Sequence, residues 1–195
     1  KRNKIRDVDL LERIMAYVMA NVGNTFSASS LAKFLKSEQR TVAPETILNY
    51  IRYCCDAYLF YQVKREEVQG KQILASNEKY YIADHGIREA VFGGNAKDIN
   101  LTLENIVYLE LIRRGCHVSI GKVGELEVDF VAEHSGEIEY YQVSATIMHE
   151  DTFEREIAPL KRIRDNYPKY IITMDEMPMD EDGIKIINVL DFLLQ

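Results

Sequence analysis

The run FGGNAKDIN at residues 92–100 constrains this chain most, because charge and hydrophobic periodicity both change across it. Residues 1–95 carry 14 Lys/Arg against 11 Asp/Glu, a net of +3, and residues 96–195 carry 10 against 20, a net of −10. Gly93, Gly94 and Asn95 punctuate the backbone at the break, so two domains are expected, at 1–95 and 96–195. A chain of 195 residues with 47% apolar content can bury one large core or two modest ones. The acidic second half argues against broad, non-specific contact with phosphates, which draws on a basic footprint.

The first half begins helical. Apolar residues at 10, 11, 14, 15, 18 and 22 form one stripe that Gly23 stops. A short second helix follows, with Ser27 or Ser29 as N-cap and Leu31, Phe34 and Leu35 facing inward. Pro44 opens a third helix, ETILNYIRYCCDAYLF, whose expected inner face carries Ile47, Leu48, Ile51, Cys55, Tyr58 and Leu59. YLFYQVKREEV and KQILASNEKYYIADHG then read as a hairpin turning at Gln69-Gly70.

Helix, short helix, turn, helix and two-stranded wing is the order of a winged helix-turn-helix. Its third helix would present Thr46, Asn49, Tyr50, Arg52 and Tyr53 outward. Arg40 and the wing residues Lys64, Arg65 and Lys71 complete the DNA-contacting set expected of such a domain. That set is sparse, since Arg52 is the only basic residue on the recognition helix and Glu45 lies near its start. A partner-docking winged helix is the competing expectation.

The second half alternates. DINLTLENIVYLELIRRG reads as a helix with Leu103, Ile106, Val107, Leu109 (or Glu110) and Leu111 on an apolar face, closed by Arg113, Arg114 and Gly115. Strands are expected at 116–122, 126–133 and 137–144, then a helix in TFEREIAPLKRIRDNY. The strand KYIITM, an acidic loop at 174–183, the strand IKIINV and a closing helix LDFLLQ complete the chain. This is an α/β arrangement around a mixed sheet, α+β when the first domain is included.

Within it, Glu104 lies on the helix, Asp129 on a strand and Gln142-Val143-Ser144 on the next strand. These fall where restriction-endonuclease-like folds of the PD-(D/E)xK type carry a helix Glu, a strand Asp and (D/E)xK. EVDFVA, YYQVSATI, TFEREIAPLKRIRDNYPKYIITMDE and GIKIINVLDFLL resemble the C-terminal part of predicted prokaryotic AAA+ ATPases, catalogued there as a domain of unknown function. The first half is similar to the segment preceding it in those proteins. The resemblance implies an N-terminal ATPase domain of the same protein, binding ATP and Mg²⁺, as partner. The chain itself has no GxxxxGK[ST] loop, so no cofactor and no ATP turnover are expected of it. A start at Lys-Arg-Asn-Lys suggests a fragment.

Phosphodiester hydrolysis by this fold would need carboxylates on Mg²⁺ and a cation at the attacking water. Glu104 and Asp129 could hold a metal, Gln142 could ligate only through an uncharged carbonyl, and Ser144 is too short and uncharged to replace Lys. The expected reading is therefore a satisfied polar cluster, a degenerate nuclease-like site that binds no metal and performs no catalysis. The chain would act as an accessory module that recognises DNA or a protein for the ATPase. A Mg²⁺-dependent nuclease with an atypical site and a winged-helix DNA-binding regulator are the alternatives. Cys54, Cys55 and Cys116 form no CxxC and suggest reduced thiols in a cytoplasmic protein. No apolar run reaches the roughly 18 residues a membrane span needs. His85, His117, His134 and His149 lack metal-ligand spacing.

Overall fold

The computed structural model describes residues 5–70, 72–93, 98–176 and 179–195; Lys71 of the expected wing and Gly94-Asn95 of the expected linker lie outside these. The architecture is mixed α/β, with seven helices among the described residues and an eight-stranded mixed sheet in the order β2-β1-β3-β4-β5-β6-β8-β7. The chain divides into two compact units, one of residues 1–62 and 77–94, the other of 63–76 and 95–195. The expected boundary at residue 95 keeps the whole hairpin in the first half, whereas its distal part groups with the second unit.

In the first unit α1 (Val8–Ala20) starts where the Asp7 carboxylate accepts from the Leu10 amide at 3.0 Å, and α2 (Ala28–Ser37) where Ser27 Oγ accepts from the Ser30 amide at 3.2 Å. Pro44 opens α3 (Pro44–Asp56), as its fixed φ and missing N–H suit a first helical turn. Leu10, Ile14, Val18, Leu31, Leu35, Ile47, Ile51 and Cys54 close the core.

Three expected orientations differ. The buried stripe of α3 runs through Ile47, Tyr50, Ile51 and Cys54, a spacing of three, four and seven residues. It turns Tyr50 inward and leaves Leu48 44% and Tyr58 75% exposed. Phe34 is 51% exposed, because Leu31 and Leu35 define the inner line of α2 and leave Phe34 beside the Tyr17 ring at its edge. A helix that the sequence reading did not include, α4 (His85–Phe92), is capped by Asp84 and stopped at Gly93. From it Arg88, 4% exposed, donates Nε to the Met19 carbonyl at 3.0 Å and so satisfies a carbonyl in the last turn of α1.

β1 (Phe60–Glu67) and β2 (Gln72–Ile82) form the hairpin, and residues 65–67 of β1 pair in parallel with β3 (His117–Val123). β3, β4 (Leu126–His134) and β5 (Glu137–Ser144) are antiparallel neighbours. The β4–β5 turn places Ser135 and Gly136 at φ 54° and 86°, the positive pair of a tight hairpin turn. β5, β6 (Lys169–Thr173) and β8 (Ile184–Asn188) run parallel. β7 (Met179–Glu181) pairs antiparallel with β8. This corrects the expected acidic loop: Asp182 and Gly183, at φ 51° and 78°, make the same kind of hairpin turn there.

α6 (Glu150–Arg162) lies on the face shared by Val131 and Tyr140, with Ile157, Leu160, Ile171 and Ile186 in one core cluster. The neighbouring residues on each strand, Phe130 and Tyr141, point the other way. They meet Tyr108 of α5 (Ile99–Arg113) at 6.0 Å between ring centroids and Phe192 of α7 (Val189–Leu193) at 5.8 Å. α5 buries the expected Leu103, Val107 and Leu111, takes Glu110 rather than Leu109 of the two alternatives, and adds Asn105 and Tyr108, which the expected apolar face did not include. Helices thus cover both faces of the sheet, and none among the described residues is long and apolar enough to cross a membrane.

The β3–β4 register carries one irregularity. Ser119 pairs with Val131 and Gly121 with Val128, so Asp129 and Phe130 stand opposite Ile120 alone, a β-bulge. The extra residue puts Val128 and Val131 on one face, where a Cβ on Gly121 would lie 2.9 Å from the Val128 Cβ, 2.9 Å from a Val131 methyl and 3.0 Å from a Val68 methyl. Gly121→Val is therefore expected to overpack this point and cost about 1–3 kcal/mol. A thermal melt would show it as a midpoint lowered by several degrees, and an unchanged midpoint would refute the close approach.

Candidate functional site

Asp129 sits in the bulge, and the paired ladder between β4 and β5 runs from His134↔Glu137 to Phe130↔Tyr141. Next to it, side chains take over the bonding. The Asp129 amide donates to Gln142 Oε1 at 2.8 Å, and the Val143 amide donates to Asp129 Oδ2 at 2.9 Å. Each strand therefore offers a side-chain acceptor to the other's backbone N–H, which satisfies donors that would otherwise be left buried.

Gln142 is 5% exposed and uses both ends of its amide. Its Nε2 donates to Glu156 Oε2 on α6 at 3.0 Å. The other Glu156 oxygen accepts from Arg155 Nη2 at 2.7 Å and Nε at 3.1 Å. Glu156 was absent from the sequence-based set. One signal could have found it: with α6 anchored by Ile157 and Leu160, position 156 borders the buried stripe, and a buried carboxylate needs a partner.

Ser144, 4% exposed, donates to the Thr146 carbonyl at 3.0 Å rather than to Asp129. The ends of β5 and β6 are tied nearby, where Thr173 donates to Asp175 at 3.1 Å and Asp175 accepts from the Ile147 amide at 2.8 Å. Asn100, in the first turn of α5, accepts from the Ala145 amide at 2.8 Å. Glu104 is half-buried further along α5. Among the described residues, no three His, Cys, Asp or Glu side chains group so as to hold a metal ion.

The expected DNA-contacting residues are dispersed by their partners. Arg40 pairs with Asp7 and with Asp9, and its guanidinium holds both carboxyls below the usual carboxylate range. Arg65 pairs with Glu127 at 2.7 Å. Thr46 is half-buried; Asn49, Arg52 and Lys64 are exposed, with Arg52 lying 6.0 Å from the Tyr53 ring centroid. Burial pushes the Cys54 and Cys55 thiols up to about 11, so both stay protonated and unreactive at neutral pH. Burial also raises Tyr140 and Tyr141, whose hydroxyls donate to Asp165 and Glu139, each at 2.6 Å.

Residues 1–98 match a family defined as a domain of unknown function (DUF8612), and the chain belongs to that family. An uncharacterized protein of Haemophilus influenzae is 37% identical over 195 residues, which cover all of this chain and 48% of that protein. An uncharacterized protein of Methanocaldococcus jannaschii is 27% identical over 98% of this chain and 41% of its own length. The chain thus spans a little under half the length of the curated relatives it matches.

The Gln142 bridge makes a pH-dependent prediction. Gln142→Glu replaces the donor facing Glu156 with a second carboxylate in a buried site, and like charges there are expected to cost about 2–4 kcal/mol at neutral pH. The cost shrinks as pH falls and the pair takes up a proton, because the folded form then binds a proton more tightly than the unfolded chain does. Denaturant melts at pH 8 and pH 5 would show the variant closer to wild type at the lower pH; equal losses at both would refute the contact.

Proposed function

We propose that this member of the DUF8612 family is a non-catalytic recognition module of a larger protein, with a polypeptide rather than a nucleic acid as its partner. The observation that carries this reading is the Gln142 amide, held between the Asp129 amide at 2.8 Å and the Glu156 carboxylate at 3.0 Å. The residue standing where a nuclease of the PD-(D/E)xK type would place its second strand carboxylate here completes a structural bridge. The position that would carry the water-orienting Lys holds Ser144, whose hydroxyl is bonded to the Thr146 carbonyl. Mg²⁺ is favoured where carboxylates gather, and an engaged, uncharged amide adds little to Asp129.

The choice of a polypeptide partner rests on charge. Three helices followed by a hairpin suit a winged helix, yet Arg40 and Arg65 are already paired with carboxylates. That leaves Arg52 and Lys64 among the described cations for phosphate contact, with Lys71 of the expected set outside the described residues. The curated relatives carry more than half of their length outside the matched region, which leaves room for the ATP- and Mg²⁺-binding domain that the sequence resemblance implies. In this reading the chain works in the cytoplasm beside that domain.

Two measurements test the proposal. With Mg²⁺ or Mn²⁺ the protein is expected to leave duplex DNA, single-stranded DNA and RNA intact; cleavage abolished by Asp129→Ala would overturn the non-catalytic assignment. In a fluorescence-anisotropy titration, duplex DNA is expected to bind weakly, with a log-log salt slope no steeper than about −2.7, from roughly 0.9 for each of three cations. Tight binding at physiological salt would overturn the choice of partner.

A further inference from the structure

A second feature of the sheet lies outside the Asp129 network. Register places Glu66 beside Gly121, Ser119 beside Val131, His117 beside Glu133, and Val131 and Glu133 beside Tyr140 and Ile138. Directly paired residues project from the same face. There they line a cavity of about 210 Å³. It is an elongated trough: Gly121 and His117 are four residues apart on β3, roughly 13 Å at about 3.3 Å per residue, so Glu66 and Glu133 mark opposite ends. Between them the floor is apolar, formed by Val131, Ile138 and the ring of Tyr140.

Apart from the Tyr140 hydroxyl, which donates to Asp165, the trough holds acceptors left open among the described residues. Glu66 and Glu133 form no ion pair with a described residue. Ser119 is only 4% exposed, yet its hydroxyl, on the cavity wall, has no hydrogen-bond partner among the described residues. That hydroxyl is open to the trough and is available to a donor or acceptor of a bound ligand. Among the described residues no Lys or Arg lines the cavity. Lys169, whose Nζ stands 5.7 Å from the Tyr140 ring centroid, is held by the carbonyls of Asp165 and Tyr167 at 2.8 and 3.2 Å.

The chemistry of the lining selects the ligand. Two carboxylates exclude an anion, and the absence of any three-ligand group among the described residues excludes a metal site of protein ligands. A volume below the roughly 300–1,000 Å³ of ordinary small-molecule pockets excludes a nucleotide-sized ligand. What remains is a slender ligand with a cation at each end and an aliphatic middle. We propose that this trough binds a linear aliphatic diamine, one ammonium at Glu66, the other at Glu133, its methylenes on Val131, Ile138 and Tyr140 and an N–H directed at Ser119 Oγ. This site is independent of the accessory-module reading and stands or fails separately from it.

Isothermal titration of the full chain at physiological salt tests the proposal, with 1,4-diaminobutane, 1,5-diaminopentane and spermidine as probes, n-butylamine as the single-charge control, and the peptide Lys-Gly-Lys as the polypeptide source of the same charges. At least one of the amines with two or more charges is expected to bind about tenfold or more tightly than n-butylamine. Glu133→Gln and Glu66→Gln, both outside the sheet core, should each lower that affinity about tenfold while leaving the thermal midpoint unchanged. Ser119→Ala should lower it by a smaller factor. Equal binding of monoamine and diamine, no binding of any amine, or affinity indifferent to Glu133→Gln would each overturn the site. Tighter binding of Lys-Gly-Lys than of every free amine would overturn the small-molecule assignment.

Discussion

The extra residue that β4 inserts opposite Ile120 is the constraint from which the arrangement of the second unit follows. It turns Val128 and Val131 onto the same face, and that crowding is tolerated only because position 121 has no side chain. It also puts Asp129 where its carboxylate and the Gln142 amide carry the bonding between β4 and β5. Bulges recur beside functional sites because they re-aim side chains. Here the re-aimed side chain is an acceptor for the next strand's backbone, and one local irregularity links sheet packing to the residues that most suggest chemistry.

The Gln142–Glu156 contact extends the same logic to α6. A buried carboxylate is tolerable only with hydrogen-bond donors around it, and Glu156 receives one from Gln142 and two from Arg155. Gln is well suited to this place because an amide accepts at one end and donates at the other. Neither a carboxylate nor an aliphatic side chain at 142 would serve both the Asp129 amide and Glu156. The residue that looks like a worn nuclease ligand in the linear pattern therefore has a positive physical role in the folded chain.

In the first unit, ion pairing governs the surface that a nucleic acid would meet. Arg40 lies between Asp7 and Asp9, next to Arg13, which itself pairs with Asp9 at 3.1 Å and Glu38 at 3.2 Å. These exposed pairs add little stability individually. Their consequence is electrostatic: the cations that composition alone offers to phosphate are partly neutralised in place.

The sequence by itself determined the class of this protein: the helical stripe of residues 10–22, Pro44 at a helix start and the strand–strand–helix order after residue 116 were readable because periodicity and turn residues act locally. It also singled out Asp129 and Gln142, since polar residues within apolar strands are conspicuous. It mistook the inner face of α3, where Tyr50 rather than Leu48 is buried, because which side of a helix faces the core depends on the elements packed against it. The hairpin at Asp182-Gly183 hid within a run of acids whose charge suggested a loop. Glu156, the pairing of Arg40 and Arg65, and the trough between Glu66 and Glu133 were decided only by tertiary structure. Each joins residues that are distant along the chain, and whether a charge is free or engaged depends on what the fold brings within about 3 Å of it.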